Sequence, residues 1–473
     1  MSFTSVVFLV LFFPACVLIN YFLAERYRNV FLCLASLIFY FWCGIRFLIL
    51  LAVSSIFAYV LGLLIAGAKH TGAKRSLLIL GIVVNIGVLF YYKYLFNILS
   101  AISPWIASVA GHEVILMAES PVLPLGISFY IFSLLSYLLD VYWGICEAQK
   151  NYLNIWLYVA FFPKVVQGPI VRYKDFKSQL HGRTVDLIGM NDGLERFIKG
   201  MFKKVMIADQ LQNLVTYSFS NIDGVGTIPA WIGSIAYTLQ LYYDFSGYSD
   251  MAIGLAQMLG FRFAENFEHP YTSDSVTVFW RRWHISLTTW FREYIYIPMG
   301  GNRRGNVYIH LIIIFFLTGL WHGGTWNFIV WGMWHGTFML LERLRRNKKP
   351  WLPKPLRWLY TILVVNTGWV FFRADSLNTV LQYLIKMLVW DTTDGLLMLG
   401  EYRNYLAMFF VIALVFAFPV YGKVKAKVLS LGTGTKWEPA VRVGYSVGLL
   451  VAFLLSFCFA VSNGYTSFLY EVF

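Results

Sequence analysis

Apolar blocks follow one another along nearly the whole chain, from residues 6–22 through 47–66, 77–99 and 231–261 to 443–461. The blocks 6–22, 47–66 and 443–461 hold no charged residue. About 20 such residues cross a hydrocarbon core of about 30 Å, because a helix rises 1.5 Å per residue and satisfies its backbone internally. Blocks such as 30–40 and 380–390 are shorter, so about ten to twelve true spans plus re-entrant pieces are expected. Alternating segments of about ten residues, the mark of a membrane β-barrel, do not occur. Of the 473 residues, 59% are apolar and only 13% charged. A soluble domain carries about 25% charge, so a simple globular enzyme is excluded. The first block has no basic region ahead of it and no small-residue cleavage pattern behind it, and is read as a retained span.

The formal net charge is +14. In a membrane protein such an excess reports loops facing the cytoplasm and anionic headgroups, not nucleic acid. Basic clusters occur at Lys69, Lys74 and Arg75; at Arg172, Lys174, Lys177 and Arg183; at Arg343, Arg345, Arg346, Lys348 and Lys349; and at Lys423, Lys425 and Lys427. They alternate with the Lys- and Arg-poor loops 100–120, 221–228 and 391–400, which places the clusters inside and those loops outside. The five cysteines show no paired spacing and read as small core residues. Residues 279–299, FWRRWHISLTTWFREYIYIPM, mix guanidinium groups with aromatic rings and are placed at the cytoplasmic headgroup level as an interfacial or re-entrant helix.

Chemistry concentrates in residues 311–341, LIIIFFLTGLWHGGTWNFIVWGMWHGTFMLL, which hold no Asp, Glu, Lys or Arg. As one straight helix this run would extend about 46 Å, too long to lie along the membrane normal. Gly323-Gly324 is the natural break, which leaves His322 at an interruption deep in the bilayer. Hydrocarbon surroundings favour neutral imidazole, the form able to take a proton from an attacking hydroxyl. Trp321, Trp326, Trp331 and Trp334 are candidate pocket walls, and Asn327 a candidate for orienting the ring. The competing reading makes His322 a hydrogen-bonded packing residue. His335, on another helical face, and His284, in the interfacial segment, read as packing and entrance residues. The other histidines fall in loops or near span ends and read as solvated.

Asp140, Asp244 and Asp250 lie inside apolar runs. Each is either half of a buried ion pair or hydrogen bond, or part of an ion-coupling path of a transporter. Lys164, flanked by Pro163 and Pro169, marks a bent element facing the cytoplasm; it either snorkels or meets an anionic donor. There is no phosphate loop, no GxSxG elbow, no CxxC pair and no HExxH, since His112-Glu113 is followed by Val-Ile-Leu. No metal site is expected.

The segments PLGISFYIFSLLSYLLDVYWG, FFPKVVQGPIVRY, LQLYYDFSGYSDMAIGLAQMLGFRFAENFEHPY, FWRRWHISLTTWFREYIYIPMGGNRRG and LTGLWHGGTWNFIVWGMWHG resemble the membrane-bound O-acyltransferase superfamily. Within it they are most similar to the bacterial branch that contains the membrane subunit of alginate O-acetylation. The resemblance runs from the first span to about Ala374. It implies an all-α polytopic fold, a ring of about 10–12 helices around a thin centre with funnels from both sides. The chain is then one integral-membrane domain, with N-terminal spans at 1–120, a motif-bearing core at 121–374 and C-terminal spans at 375–473. The resemblance also implies His322 as the residue needed for acyl transfer and His284 as its companion.

Trp321, Asn327, Arg281, Arg282, Asp244 and Lys164 are candidates for contacting substrate or donor. The implied reaction takes an acetyl group from a cytoplasmic donor, acetyl-CoA, to a hydroxyl presented from the periplasm, with no permanently bound cofactor. The implied partners are the lipid bilayer, a periplasmic acetyltransferase protein and a polysaccharide, at the bacterial inner membrane. Alternatives are D-alanyl transfer to teichoic acid, O-acetylation of peptidoglycan or cellulose, a transporter or flippase, and a structural subunit of a secretion complex.

Overall fold

The structure, a computed structural model, describes residues 1–112, 115–117, 119–345, 352–393, 403–462 and 468. Arg346, Lys348 and Lys349 of the third basic cluster, and residues 394–400, lie outside the described residues. Among the described residues every regular element is helical. Among the described residues three helices are long and apolar enough to cross a membrane: α1 (Ile45–Gly67), α2 (Thr71–Ala110) and α11 (Glu438–Ser462). A bent pair, Asn404–Phe416 and Val420–Gly432, meets at 76° and passes the same test together. Shorter apolar helices, α3 (Ile127–Tyr142) and α8 (Val307–His322) among them, lie between these.

On α1 the residues Ile49, Val53, Ile56, Val60 and Leu64 are exposed, while Leu51, Ser55, Ala58, Leu61 and Ile65 are buried. Both sets recur at three- and four-residue steps, so one face packs on the protein and the other presents hydrocarbon. Such an apolar outer face suits lipid, which has no need of polar side chains. A multi-pass membrane protein follows.

Two helix pairs set the centre. The first is α4 (Leu187–Phe202) against α5 (Thr227–Met258). A Cβ added at Gly193 would lie 2.6 Å from the Gly254 carbonyl, and one at Gly200 2.5 Å from that of Gly247. Both contacts join positions that sum to the same number, so the helices run antiparallel with glycine on glycine. Such close approach is how membrane helices gain packing without a hydrophobic driving force between them. Gly247→Leu is expected to separate α4 from α5 and lower the melting temperature in detergent; an unshifted melt would remove the glycine contact from the account.

The second pair is α8 with α9 (Trp326–Leu344). Cβ atoms at Gly319 and Gly336 would meet the Phe328 carbonyl at 2.5 Å and the Phe315 side chain at 2.9 Å. Residues 311–341 are therefore a hairpin. The break expected at Gly323-Gly324 is a full reversal, because α8 stops at His322 and α9 begins at Trp326. The remaining central elements are α6 (Val276–Arg282), α7 (Ile285–Phe291) and α10 (Lys354–Arg373).

Candidate functional site

His322 is the last residue of α8. Its ring is 2% exposed and stands edge-on to Trp321 at 4.7 Å, Trp331 at 4.9 Å and Phe372 at 5.1 Å. The last carbonyls of a helix have no partner within it. Here Tyr94 Oη donates to the Leu320 carbonyl at 2.7 Å, and Lys93 Nζ donates to that of Trp321. Both side chains come from the π-helical turn Tyr91–Leu95 inside α2. The extra residue of such a turn redirects side chains, and such turns gather at functional sites. The Lys93 ammonium also suits the negative end of α8.

His284 caps α7 and is 1% exposed, in a left-handed backbone conformation at φ 45°. Its ring stands edge-on to Phe245 at 4.6 Å, and Nδ1 lies 3.1 Å from Asn266 Oδ1. The Trp321 ring is 6.2 Å from His284 and 4.7 Å from His322, so one indole contacts both imidazoles. Phe129 and Phe132 pack on the same indole at 5.7 and 5.5 Å.

A cavity of about 1050 Å³ opens beside this pair. Its lining includes Arg281, Arg292, Arg343, Arg345 and Arg357, together with Trp280, Leu287, Thr288, Phe315 and Thr318. Thr318 lies one helical turn before His322, and Leu287 and Thr288 one turn after His284. The imidazoles themselves do not line it. Two acids stand at its wall among the described residues, and of these Asp274 pairs with Arg357 at 3.1 Å. Glu342 accepts from the Val276 and Thr277 amides at 2.7 and 2.9 Å, at the positive end of α6.

The interfacial segment is tied down by Glu293, which pairs with Arg172 and, at 2.8 Å, with Lys174. Burial works to raise the Glu293 carboxyl, but the hydrogen bonds and charges of Lys174 and Arg172 outweigh it and hold the group below its ordinary value.

The other expected residues divide clearly. Arg281 lines the cavity, whereas Arg282 does not and donates to Thr272 Oγ1 at 2.8 Å. Trp321 and Trp331 flank His322; Trp326 is 71% exposed, and Trp334 donates to the Val364 carbonyl at 2.9 Å. The Asn327 amide nitrogen donates to the Ala374 carbonyl at 2.7 Å, so it braces the end of α10. Lys164 does not snorkel: it is buried, donates to Ser133 Oγ at 3.0 Å and lies over the Tyr158 ring at 4.5 Å. His335 stands between Trp280 at 5.1 Å and Trp331 at 5.4 Å, so the hairpin joins it to the aromatic cluster around His322. His310 is buried rather than solvated, with Nδ1 3.0 Å from the Gly301 carbonyl.

The three acids are all engaged. Asp140 accepts from Tyr294 Oη at 2.9 Å and the Lys174 amide at 3.2 Å. Asp244 pairs with Lys204 at 2.6 Å, and Asp250 with Lys203 at 2.6 Å and Arg196 at 2.9 Å.

Two residues near the imidazoles escaped sequence reasoning. Asn266 lies in a polar loop with no periodic signal. Lys93 did carry one, as an ionisable residue inside the apolar block 77–99. Lys93→Met keeps the stem and removes the charge, and is expected to cut the turnover of any reaction at His322 by about tenfold. Full turnover in that variant would make the contact ornamental.

The membrane-bound O-acyltransferase family model matches residues 147–381. A probable alginate O-acetylase AlgI of Azotobacter vinelandii is 45% identical over 402 residues, covering 83% of this chain and 80% of the relative. A peptidoglycan O-acetyltransferase of Helicobacter pylori is 34% identical, covering 81% and 79%. A teichoic acid D-alanyltransferase of Bacillus subtilis is 29% identical, covering 51% and 65%.

Proposed function

The chain belongs to the membrane-bound O-acyltransferase family and is an O-acyltransferase; from that premise we propose that it moves an acetyl group from a cytoplasmic thioester donor, acetyl-CoA, to a periplasmic hydroxyl for alginate O-acetylation. The observation that carries this reading is the end of α8. His322 stops a helix deep in the protein, one turn beyond a cavity whose wall holds five arginines. Guanidinium groups attract a phosphate-bearing donor to that mouth, while the apolar wall at Leu287 and Phe315 suits its acyl arm.

The basic loop clusters face the cytoplasm in this reading. In the step itself, neutral His322 takes the proton of the acceptor hydroxyl as its oxygen attacks the thioester carbonyl. The new C–O bond forms, the C–S bond breaks, and the departing sulfur leaves as a thiol with the proton that His322 carried. The acceptor hydroxyl reaches the pair from the other side of a ring of about ten to twelve spans in the bacterial inner membrane, presented by a periplasmic partner protein or by the polysaccharide itself. Since both rings are buried in the resting structure, the aromatic shell of Trp321, Trp331 and Phe372 must part for substrates.

An acetyl group is favoured over D-alanine because identity to the alginate O-acetylase is 45%, against 29% to the D-alanyltransferase. Ion-coupled transport loses support because Asp140, Asp244 and Asp250 are each held by fixed donors. The test supplies labelled acetyl-CoA to the cytoplasmic face of vesicles holding the protein and its polymer. Label on the polymer supports the reading. Flux of a substrate without any acyl label would replace it with transport.

A further inference from the structure

His284 sits in a hydrogen-bond chain that leaves no freedom in its proton. Asn266 Oδ1 lies 3.2 Å from the Ser286 amide nitrogen, which can only donate, so the atom facing it is the oxygen and not the nitrogen of the carboxamide. The other end agrees: Asn266 Nδ2 donates to Ser249 Oγ at 3.0 Å. Ser286 Oγ accepts from the Ile170 amide at 3.0 Å and gives its own proton to Asn266 Oδ1 at 2.9 Å. The backbone is pinned as well, since the Ile285 amide donates to the Asn266 carbonyl at 3.0 Å, across the left-handed turn at His284. His284 Nδ1, at 3.1 Å from an oxygen that only accepts, must therefore carry the proton of the neutral ring.

The consequence falls on the opposite nitrogen. Nε2 is left with a bare lone pair, and among the described residues it has no hydrogen-bond partner although the residue is 1% exposed. A buried acceptor without a donor is costly, and it identifies a place where a donor is meant to arrive. A carbonyl oxygen cannot be that group, because two acceptors would face each other.

We propose that Asn266 is a positioning residue that locks His284 as the Nδ1–H tautomer, so that Nε2 meets the reacting groups as a proton acceptor and not as a hydrogen-bond donor to the acyl carbonyl. The identity of the reacting groups rests on the acyl-transfer reading; the tautomer does not. Trp321 then contacts two neutral imidazoles, and the oxyanion of the tetrahedral intermediate is met by donors other than His284.

The test uses the full chain in lipid vesicles with 13C,15N-histidine, the His284 signals being those lost in His284→Gln. Wild type and Asn266→Asp, whose carboxylate accepts from the same donors, are expected to show a protonated Nδ1 and an unprotonated Nε2. Asn266→Leu is expected to show mixed tautomers, with turnover down about tenfold or more and KM for the acyl donor within about twofold. A protonated Nε2 in wild type overturns the proposal, as does an unchanged tautomer in Asn266→Leu. If the leucine variant does not fold, the wild-type and aspartate spectra decide. Failure of the acyl-transfer reading would appear separately, as an unlabelled polymer with the same wild-type spectrum.

Discussion

His322→Ala is expected to reduce acetyl transfer by about 10²- to 10⁴-fold, the range over which a positioned general base contributes, while the protein still reaches the membrane in normal amount. The ring is buried among Trp321, Trp331 and Phe372, so its removal also leaves a cavity. A melting curve is therefore recorded beside the rate. His322→Gln separates the two roles. Glutamine fills most of the space and keeps hydrogen-bonding atoms, but it has no lone pair basic enough to take a hydroxyl proton. A packing histidine would tolerate it; a base would not. Transfer in His322→Gln at more than about a tenth of the wild-type rate would defeat the assignment. The loss should fall on turnover, with donor KM little changed, because the arginines line the cavity wall and the imidazole does not.

Much of this arrangement was legible before any fold was known. A run of apolar residues too long for one span, broken by two glycines after a histidine, could only bend or reverse. Which of the two was not legible. It depends on Gly319, Gly332 and Gly336 letting α8 and α9 touch, and glycine in a membrane helix does not by itself reveal its partner. The ion-pair reading of Asp244 and Asp250 followed from the cost of burying a lone carboxylate. Their partners, Lys204 and Lys203, come from a segment some 40 residues earlier and required the fold. The snorkelling reading of Lys164 fails for a related reason. Snorkelling assumes that the stem can reach the interface, whereas the Phe162–Val165 turn is wholly buried. Asn266 left no trace, because one carboxamide in a polar loop looks like any other until Ser286, Ser249 and His284 converge on it.

The second large effect is expected at Lys204. Its ammonium, 2% exposed, lies 2.6 Å from Asp244 and 2.9 Å from Asp209, so one cation holds two carboxylates between α5 and the helix that continues α4. Removing one member of a buried ionic group costs far more than the group contributes net, because the remaining charge has lost its partner and cannot recover its water. The two ways of breaking this group are not equivalent. Asp244→Asn leaves Lys204 paired with Asp209 and is nearly isosteric. Lys204→Met takes away the ammonium that pairs with both carboxylates. Lys204→Met is therefore expected to destabilise by about 3–5 kcal/mol, and Asp244→Asn by much less. Thermal unfolding of the purified variants in one detergent compares them directly. Adding Asp244→Asn to Lys204→Met should recover part of the loss, since it removes one of the two carboxylates that faced the ammonium. Equal destabilisation by both single changes would show that the group does not act as one cation between two anions. A third result is distinct: an Asp244→Asn protein that melts normally but no longer transfers acetyl would move Asp244 from scaffold to substrate contact.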